Sequence, residues 1–204
     1  MPDPELILVR HGRSSHVETG WLDVHGVRNW MAAYDAAEIM SEHAPPPELA
    51  SLVRDASLIV ASDRPRTVAS AMRLAPDRDF VRTPLLREVP METPDRPLPN
   101  FGGIRLPLRV WGMFWGTQWL ATWLWNAPPP GVGPAELARA EQAADLLVAH
   151  ARDTGGRIVA VTHVTFRIVL AKALVRRGWR GPEQRPYRVW SAWRFVPAAN
   201  VTTT

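Results

Sequence analysis

Apolar and polar residues alternate along this chain in blocks that predict strands and helices in turn. Short apolar runs at residues 5–10, 57–61 and 157–162 have the length and composition of buried strands. Between them, apolar residues recur every three or four positions, which is the spacing of one helix face. Alternating apolar residues over 189–196 predict a last strand. The helical spacing predicts helices over 27–40, from the Ser62-Asp63 cap through 74, 136–152 and 165–177.

Strands and helices in this order predict a three-layer α/β/α sandwich with a mostly parallel central sheet. A single domain over residues 1–204 is expected from the length. Residues 80–89 fit a short strand and a loop, after which prolines are dense from 90 to 107 and prevent long regular elements. We therefore expect residues 90–130 to form a cap-like insertion within the domain.

Composition narrows the chemistry that the chain can perform. The sequence has no cysteine, so disulfides, thiolate nucleophiles and Cys-based metal sites are excluded. The six histidines show no metal-ligand spacing, and we expect neither a metal nor another cofactor. The formal net charge is +4, but the arginines that carry it are scattered rather than clustered, which argues against a nucleic-acid partner. The N-terminus lacks the pattern of a signal peptide, so a cytoplasmic location is expected.

Polar residues follow three of the predicted strands at the point where each strand ends. Arg10-His11-Gly12 follows the first strand, Ser62 and two arginines follow the second, and His163 follows the third. In sheets of this kind, ligands bind beyond the carboxyl ends of the strands. Because unrelated segments deliver polar side chains to the same edge, we predict one functional site there.

The tripeptide Arg10-His11-Gly12 after an N-terminal strand resembles the signature of the histidine phosphatase superfamily, which includes the phosphoglycerate mutases. The stretch from Ser62 to Arg66 is similar to the second signature of that superfamily, and Arg66 takes the position of its second phosphate-binding arginine. Leu86-Arg87-Glu88 matches the acid element, and Val161-Thr162-His163 matches the second histidine. The resemblance implies a phosphoglycerate mutase-like fold. Residues 30–35 and 178–182 also resemble a bacterial branch of the family, although Tyr34 and Trp179 are equally well explained as packing residues.

The sequence departs from the family pattern after the second histidine, where Val164 replaces the usual glycine. This departure affects the expected shape of the pocket. It also excludes the branch in which an aspartate at this position is the acid, so the resemblance implies Glu88 as the acid. Glu92, in the same loop-like stretch, is the alternative.

The resemblance implies a metal-independent phosphomonoesterase that forms a covalent phosphohistidine on His11. Neutral His11 attacks phosphorus, and Glu88 protonates the leaving alcohol. The phosphate oxygens are bound by Arg10, Arg66 and a protonated His163. His16, near the same loop, is a further candidate for a phosphate contact, with a plain loop histidine as the alternative.

Two other functions stay open at this stage. The first is a catalytically weak relative that only binds a phosphorylated ligand or phosphoprotein, and the second is a phosphoglycerate mutase-type phosphotransferase. Residues 89–94 lack the Tyr- and Gly-rich motif that mutases carry after the acid, which disfavours the mutase. The presence of both histidines, both arginines and Glu88 favours an enzyme acting on a small phosphorylated substrate.

A tryptophan-rich segment at residues 110–125 is the most distinctive feature of the sequence. Tryptophan recurs there every four residues, and no residue from 110 to 135 is charged. On a helix this spacing forms a stripe, which is explained by packing in a core, by a cap that selects an apolar or aromatic substrate, by a homodimer contact or by a membrane-surface contact. Its glycines and polar residues argue against stable membrane insertion. We expect residues 90–130 to cover the site.

Overall fold

The computed structural model describes residues 4–17, 20–92, 97–113, 131–182 and 184–198. The strands are β1 Glu5–Arg10, β2 Trp21–Leu22, β3 Leu58–Ser62, β4 Val81–Thr83, β5 Leu106–Pro107, β6 Arg157–Thr162, β7 Trp179–Arg180 and β8 Ala192–Pro197. The helices are α1 Val24–Ala36, α2 Pro47–Arg54, α3 Pro65–Leu74, α4 Pro134–Thr154 and α5 Val164–Arg176, with a 3-10 helix over Pro84–Leu86.

The central sheet has the strand order β4-β3-β6-β1-β8-β7. Strands β4, β3, β6 and β1 are parallel, and β8 runs antiparallel to them. The short edge strand β7 pairs antiparallel with β8 and so runs in the same direction as β1. In the register of the middle strands, Val9 on β1 lies beside Val161 on β6, which lies beside Ala61 on β3. The carboxyl ends of the three strands predicted to carry polar residues are therefore adjacent.

Helices cover both faces of this sheet, because alternate residues of each strand face opposite sides. Leu6 and Leu8 of β1 pack in one apolar cluster with residues of α4 and α5. Ile7 and Val9 pack in a second cluster with residues of α2 and α3. These two clusters make three layers, and they confirm the α/β/α sandwich with a mostly parallel sheet.

Several element boundaries differ from the sequence pattern. The predicted Ser62-Asp63 cap is wrong, because α3 begins at Pro65 with Arg64 as its N-cap residue, and α1 ends at Ala36 rather than at residue 40. Strands β1 and β6 have the predicted bounds. Helix α1 begins earlier than predicted, because the Asp23 carboxylate accepts a hydrogen bond from Gly26 N at 2.7 Å and caps it. Strand β8 begins at Ala192 rather than 189, because Trp190 has a left-handed φ of 59° that interrupts an extended chain.

A smaller unit that includes α1 lies beside the sheet. Strand β2 pairs with β5, and a third apolar cluster joins Val27 of α1 to Leu98, Leu108 and Trp111. Trp111 is only 1% exposed, and its indole N–H donates to Leu22 O at 2.9 Å. We call α1, β2 and residues 97–113 the α1–insertion unit.

The other four members of the tryptophan-rich segment, Trp115, Trp119, Trp123 and Trp125, lie outside the described residues. Their predicted role as core, cap, dimer contact or membrane contact therefore stays a prediction. Across the described ranges, no helix is both long and apolar enough to cross a membrane.

Candidate active site

His11 lies directly after β1 and is anchored by the backbone of the neighbouring strand. Its backbone N–H donates to Thr162 O at 3.1 Å, and its ring is buried. The ring Nδ1 lies 2.7 Å from Gly12 O. Because a carbonyl oxygen only accepts hydrogen bonds, Nδ1 carries the proton in the neutral ring, and Nε2 keeps a free lone pair.

The surroundings keep the His11 ring uncharged. Burial is the main cause that lowers its pKa to about 3, and the nearby charges of Arg66 and Arg10 act in the same direction. The hydrogen bond to Gly12 opposes this shift. At neutral pH, the ring therefore offers an unprotonated Nε2.

Gly12 is required by the close approach of Trp190. A Cβ atom at this position would lie 2.4 Å from the indole ring, which no real Cβ contact allows. Gly12 N donates to Ser70 Oγ at 2.9 Å, and Ser70 Oγ in turn donates to Arg66 O at 2.6 Å. The loop after β1 is thereby tied to the start of α3.

Arg66 lies in the first turn of α3, and its guanidinium is buried and held on several sides. Its Nε–H donates to His163 Nδ1 at 3.2 Å. One terminal nitrogen donates to Tyr34 O at 2.9 Å, and the other forms an ion pair with Asp35 at 3.1 Å. The Tyr34 ring also stacks on the guanidinium, with 4.5 Å between Cζ and the ring centroid.

Arg10, at the end of β1, is held less completely. One terminal nitrogen donates to Tyr187 O, whereas the buried Nε has no hydrogen-bond partner within the described part of the chain. Burial is the main cause that lowers the pKa of Arg10. The charge of Arg66 also lowers this pKa, whereas the charge of Glu88 raises it. Arg10 thus keeps an unused donor close to the other polar groups.

His163 is the N-cap residue of α5, and its ring lies beside the ring of His11. The two ring centroids are 5.1 Å apart with an angle of 62° between the ring planes. Its Nε2 lies 3.2 Å from Ser62 Oγ, at the end of β3. Burial lowers the pKa of His163 well below its ordinary value, and His11 and Arg66 lower it further.

The Glu88 carboxyl group lies at the N-terminus of α5, next to these histidines. Oε1 accepts hydrogen bonds from Phe166 N at 2.9 Å and Val89 N at 3.0 Å, and Oε2 accepts from Thr165 N at 3.4 Å. Burial raises the pKa of Glu88, while these hydrogen bonds lower it, and the net direction is upward. Val164, where the family usually has glycine, is the first residue of the helix that supplies two of these donors.

The strand ends thus bring His11, Arg10, Arg66, His163 and Glu88 to one edge of the sheet. The groups combine a neutral imidazole, a guanidinium donor on Arg10 without a partner among the described residues, and a carboxyl group of raised pKa. Among the described residues, no cluster of His, Asp or Glu is arranged to hold a metal ion.

Solved structures of mycobacterial proteins are similar to this chain. One called mycobacterial hydrolase 1 is 20% identical with a TM-score of 0.55, and the match covers 96% of this chain and 98% of that chain. Mycobacterial hydrolase 2 is 20% identical with a TM-score of 0.50, over 100% and 94%. A mycobacterial glucosyl-3-phosphoglycerate phosphatase in complex with VO3 is 18% identical with a TM-score of 0.51, over 96% and 98%. No protein-family model matches the sequence, and neither does any curated protein.

The chain shares its fold with these solved mycobacterial structures. This finding confirms the phosphoglycerate mutase-like architecture that the resemblance implied. In that fold, the strand ends that carry His11 and His163 are neighbours through the pairing of β1 with β6.

The two other candidates from the sequence, Glu92 and His16, contact residues of α1. The Glu92 carboxylate forms an ion pair with Arg28 of α1 at 2.7 Å and accepts a hydrogen bond from Leu98 N at 3.2 Å. The Arg28 bond is the main cause that lowers the pKa of Glu92. The His16 ring packs beside Trp30, with 5.4 Å between centroids, and its Nε2 is buried without a partner in the described ranges.

Several residues that position the site in this fold carry no clear motif. Arg139 of α4 donates to Leu85 O at 3.0 Å and Arg87 O at 2.7 Å, so it holds the backbone that leads to Glu88. Its only sequence signal is an arginine on a helix. Arg167 is buried among apolar residues of α5, and an arginine at such a position can be recognised in the sequence.

Arg167 supports Arg10 through the loop before β8. It donates to Pro186 O at 2.9 Å and Ser191 O at 2.8 Å, and it stacks on Trp193 at 3.9 Å. The same loop supplies the Tyr187 carbonyl that Arg10 contacts. Burial lowers the pKa of Arg167 to about 9.

Proposed function

We propose that this protein is a metal-independent phosphomonoesterase that acts through a covalent phosphohistidine on His11. The observation that carries the proposal is the hydrogen bond from His11 Nδ1–H to Gly12 O, because it leaves a lone pair on Nε2 of a ring that lies close to the charges of Arg66 and Arg10. Such a nucleophile requires a substrate that is electrophilic and that the surrounding positive charges also bind. A phosphate monoester dianion meets both conditions, since its phosphorus is electrophilic and its oxygens bind arginine.

Binding and attack use groups with free hydrogen-bonding capacity. The unpartnered Nε–H of Arg10 and the remaining N–H groups of Arg66 donate to phosphate oxygens. His11 Nε2 then forms a bond to phosphorus while the bond to the leaving oxygen breaks on the opposite side. Burial of the site strengthens these electrostatic contacts.

Proton transfer in both half-reactions is assigned to Glu88. In its protonated form, which burial favours, it gives its proton to the leaving alkoxide. The resulting carboxylate then takes a proton from a water molecule whose oxygen attacks phosphorus. The P–N bond breaks, inorganic phosphate leaves, and His11 recovers its lone pair.

The substrate is proposed to be a small phosphorylated molecule whose leaving group contacts the 90–130 region. Residues 97–113 of that region pack on α1. Helix α1 in turn supplies the Tyr34 and Asp35 contacts to Arg66. We further propose that the region covers the site and selects the substrate.

A second candidate function is binding of a phosphorylated ligand without efficient turnover. It is favoured by the three backbone N–H groups that donate to Glu88, since such bonds stabilise the carboxylate and oppose its role as an acid. Both candidates predict that phosphate and vanadate bind, as VO3 does in the mycobacterial phosphatase of similar fold.

The two candidates are separated by a trapping experiment. The protein is incubated with an aryl phosphate that is labelled on its phosphoryl group, and the reaction is quenched at alkaline pH because phosphohistidine hydrolyses in acid. The label should then be found on His11. Steady turnover together with labelled His11 supports the phosphomonoesterase. Tight vanadate binding with neither label nor turnover supports the binding protein. A panel of phosphorylated metabolites then identifies the substrate.

A further inference from the structure

The contact between Arg66 and His163 fixes which ring nitrogen of the histidine carries a proton. The guanidinium Nε always bears hydrogen and has no lone pair to accept with. Its distance of 3.2 Å to His163 Nδ1 is therefore a hydrogen bond in which Nδ1 accepts. Nδ1 must be unprotonated for this bond to exist.

The proton of the neutral His163 ring is consequently on Nε2. That nitrogen lies 3.2 Å from Ser62 Oγ, which is a suitable acceptor. A doubly protonated His163 would turn an N–H toward the Nε–H of Arg66, and one of the two side chains would have to move. Both side chains are buried, so there is little room for such a movement.

The groups around His163 also oppose a positive charge. Arg64 and Arg66 approach from the start of α3 and Arg139 from α4, and their charges lower the pKa of His163 in the same direction as burial. The His11 ring, from the end of β1, would repel a charged His163 whenever it is itself protonated. Ser62 on β3 adds a neutral hydroxyl. This agrees with the hydrogen-bond geometry.

Arg66 is itself oriented by the last turn of α1. The Tyr34 carbonyl and the Asp35 carboxylate take one donor from each terminal nitrogen, and the Tyr34 ring covers one face of the guanidinium. Trp30 stacks on the Tyr34 ring at 5.3 Å with an angle of 16°, which limits movement of that ring. These three residues lie in the 30–35 stretch that the sequence singled out and that the proposed reaction leaves without a role.

We propose that His163 works as a neutral hydrogen-bond donor through Nε2–H, and that Asp35 and Tyr34 are positioning residues that hold Arg66 in the orientation required for this tautomer. The proposal rests on the proposed function for its effect on turnover, but the tautomer itself does not. It replaces the protonated His163 expected from the sequence with a neutral ring.

The same arrangement determines which donors of Arg66 reach a phosphate. A guanidinium has five N–H groups. One is used by His163, one by the Tyr34 carbonyl and one by Asp35, which leaves one on each terminal nitrogen. Asp35 thus directs the remaining pair of donors as well as the tautomer of His163.

The tautomer is tested by ¹⁵N NMR of the histidine rings in the full-length protein, with His163→Gln to assign the signals. The measurement is made across about pH 5 to 8, first without ligand and then with saturating inorganic phosphate. We expect His163 to keep an unprotonated Nδ1 and a protonated Nε2 throughout. A proton on Nδ1 in the phosphate-bound protein, or titration of His163 in this range, overturns the proposal.

The positioning role is tested with Asp35→Ala, using Asp35→Glu as the conservative variant. Asp79→Ala, an exposed aspartate on the loop before β4, is the matched control. In Asp35→Ala we expect kcat/KM to fall at least about tenfold, because a small displacement of a transition-state donor has an effect of this size. We also expect NMR signals from both His163 tautomers. Asp35→Glu should recover much of kcat/KM, and Asp79→Ala should match the wild type.

Unchanged His163 signals in Asp35→Ala, or a loss of kcat/KM that Asp79→Ala shares, would overturn the positioning role. Thermal unfolding of each variant identifies any that fail to fold. If the wild type shows no turnover, the proposed function fails while the NMR measurement still decides the tautomer.

Discussion

The carboxyl edge of the central sheet and the α1–insertion unit are built from different kinds of contact. At the sheet edge, polar side chains are buried and held by directional hydrogen bonds, as His11 is by Gly12 O and Glu88 by Phe166 N. In the α1–insertion unit the contacts are largely apolar. Nearby apolar side chains stay exposed there, including Ile104 at 59% and Met113 at 69%.

This difference separates two tasks. Directional bonds hold reacting atoms within a few tenths of an ångström, which in-line attack on phosphorus requires. Apolar packing is less directional and tolerates changes of shape. We therefore expect substitutions at the sheet edge, or at Tyr34 and Asp35 of α1 that hold Arg66, to change the chemical step. Substitutions in the apolar contacts of the α1–insertion unit should change stability or substrate choice.

The largest effect is expected for His11→Ala. Removal of the nucleophile should reduce kcat by about 10⁴-fold or more while the protein still folds, because His11 lies at a strand end rather than inside the apolar clusters. The measurement is turnover of an aryl phosphate together with thermal unfolding. His25→Ala, an exposed histidine on α1, is the control. Retention of more than a few per cent of activity would falsify the covalent mechanism.

Glu88→Gln should reduce kcat by about 10²–10⁴-fold with an alkyl phosphate, since the amide cannot donate a proton to a poor leaving group. The loss should be much smaller with an aryl phosphate, whose leaving group needs less protonation. Glu92→Gln is the matched control, because Glu92 lies in the same stretch of the chain but its carboxylate is paired with Arg28. Equal losses with both substrates, or a larger loss in Glu92→Gln, would remove Glu88 as the acid.

Trp111→Ala is expected to destabilise the α1–insertion unit without changing the chemistry. Removal of a buried tryptophan and its hydrogen bond to Leu22 O costs about 3–5 kcal/mol. The free energy of unfolding in urea measures this loss. At a temperature where the variant is folded, kcat for an aryl phosphate should change little. A large fall in kcat under those conditions would mean that the two regions are coupled.

The buried neutral histidines predict loss of stability in mild acid. The pKa of His11 is lowered to about 3, so the unfolded chain binds more protons than the folded chain between that value and the ordinary value of 6.5. The stabilisation is complete above the ordinary pKa, and it is lost as the pH falls toward 3. The free energy of unfolding should drop by about 1.4 kcal/mol per pH unit for this residue.

Urea unfolding at about pH 7 and about pH 5 measures this slope, and comparison with His11→Gln isolates the contribution of His11 from that of the carboxylates. The variant should lose less stability on acidification than the wild type. Identical slopes for the two proteins would mean that His11 binds a proton in the folded chain as readily as in the unfolded chain.

The smallest effect is expected for Trp115→Ala, Trp119→Ala and Trp123→Ala. If this stretch contacts the leaving group, each substitution should raise KM for the true substrate by about fivefold, the size of one lost aromatic contact. KM for a small aryl phosphate should change less. A loss of thermal stability without a change in KM would instead favour packing in a core.

The sequence predicts the central sheet well and its surroundings less well. Continuous apolar runs define β1 and β6 to the residue, because strands buried on both faces admit few polar side chains. Strands β2, β5 and β7 have two residues each, and no periodic pattern exists over such a length. The start of α1 depends on a cap by Asp23, which the apolar spacing alone does not reveal.

The candidate site divides in the same way. Arg10, His11, Arg66, Glu88 and His163 follow predicted strands or family motifs, so the sequence identifies them. The partners that orient them come from distant segments. Arg139 reaches the carbonyls before Glu88 across about fifty residues of sequence, and Arg167 supports the loop next to Arg10. The sequence shows that Arg167 lies among apolar residues of a helix, but which carbonyl groups the two arginines contact depends on helix packing.

By itself, the sequence determined the α/β/α class, because apolar runs and helical spacing are local properties. It also indicated the edge of the sheet where polar side chains meet, because a strand–helix–strand order favours parallel strands, whose carboxyl ends lie at one edge. The tertiary structure alone decided the hydrogen-bonding state of those side chains. The acceptor at His163 Nδ1 and the ion pair of Asp35 with Arg66 each require two distant segments to meet at about 3 Å. The proton on His11 Nδ1 depends on the orientation of the neighbouring Gly12 carbonyl. Burial then determines the charge state, because a charge without water is stable only beside a suitable partner.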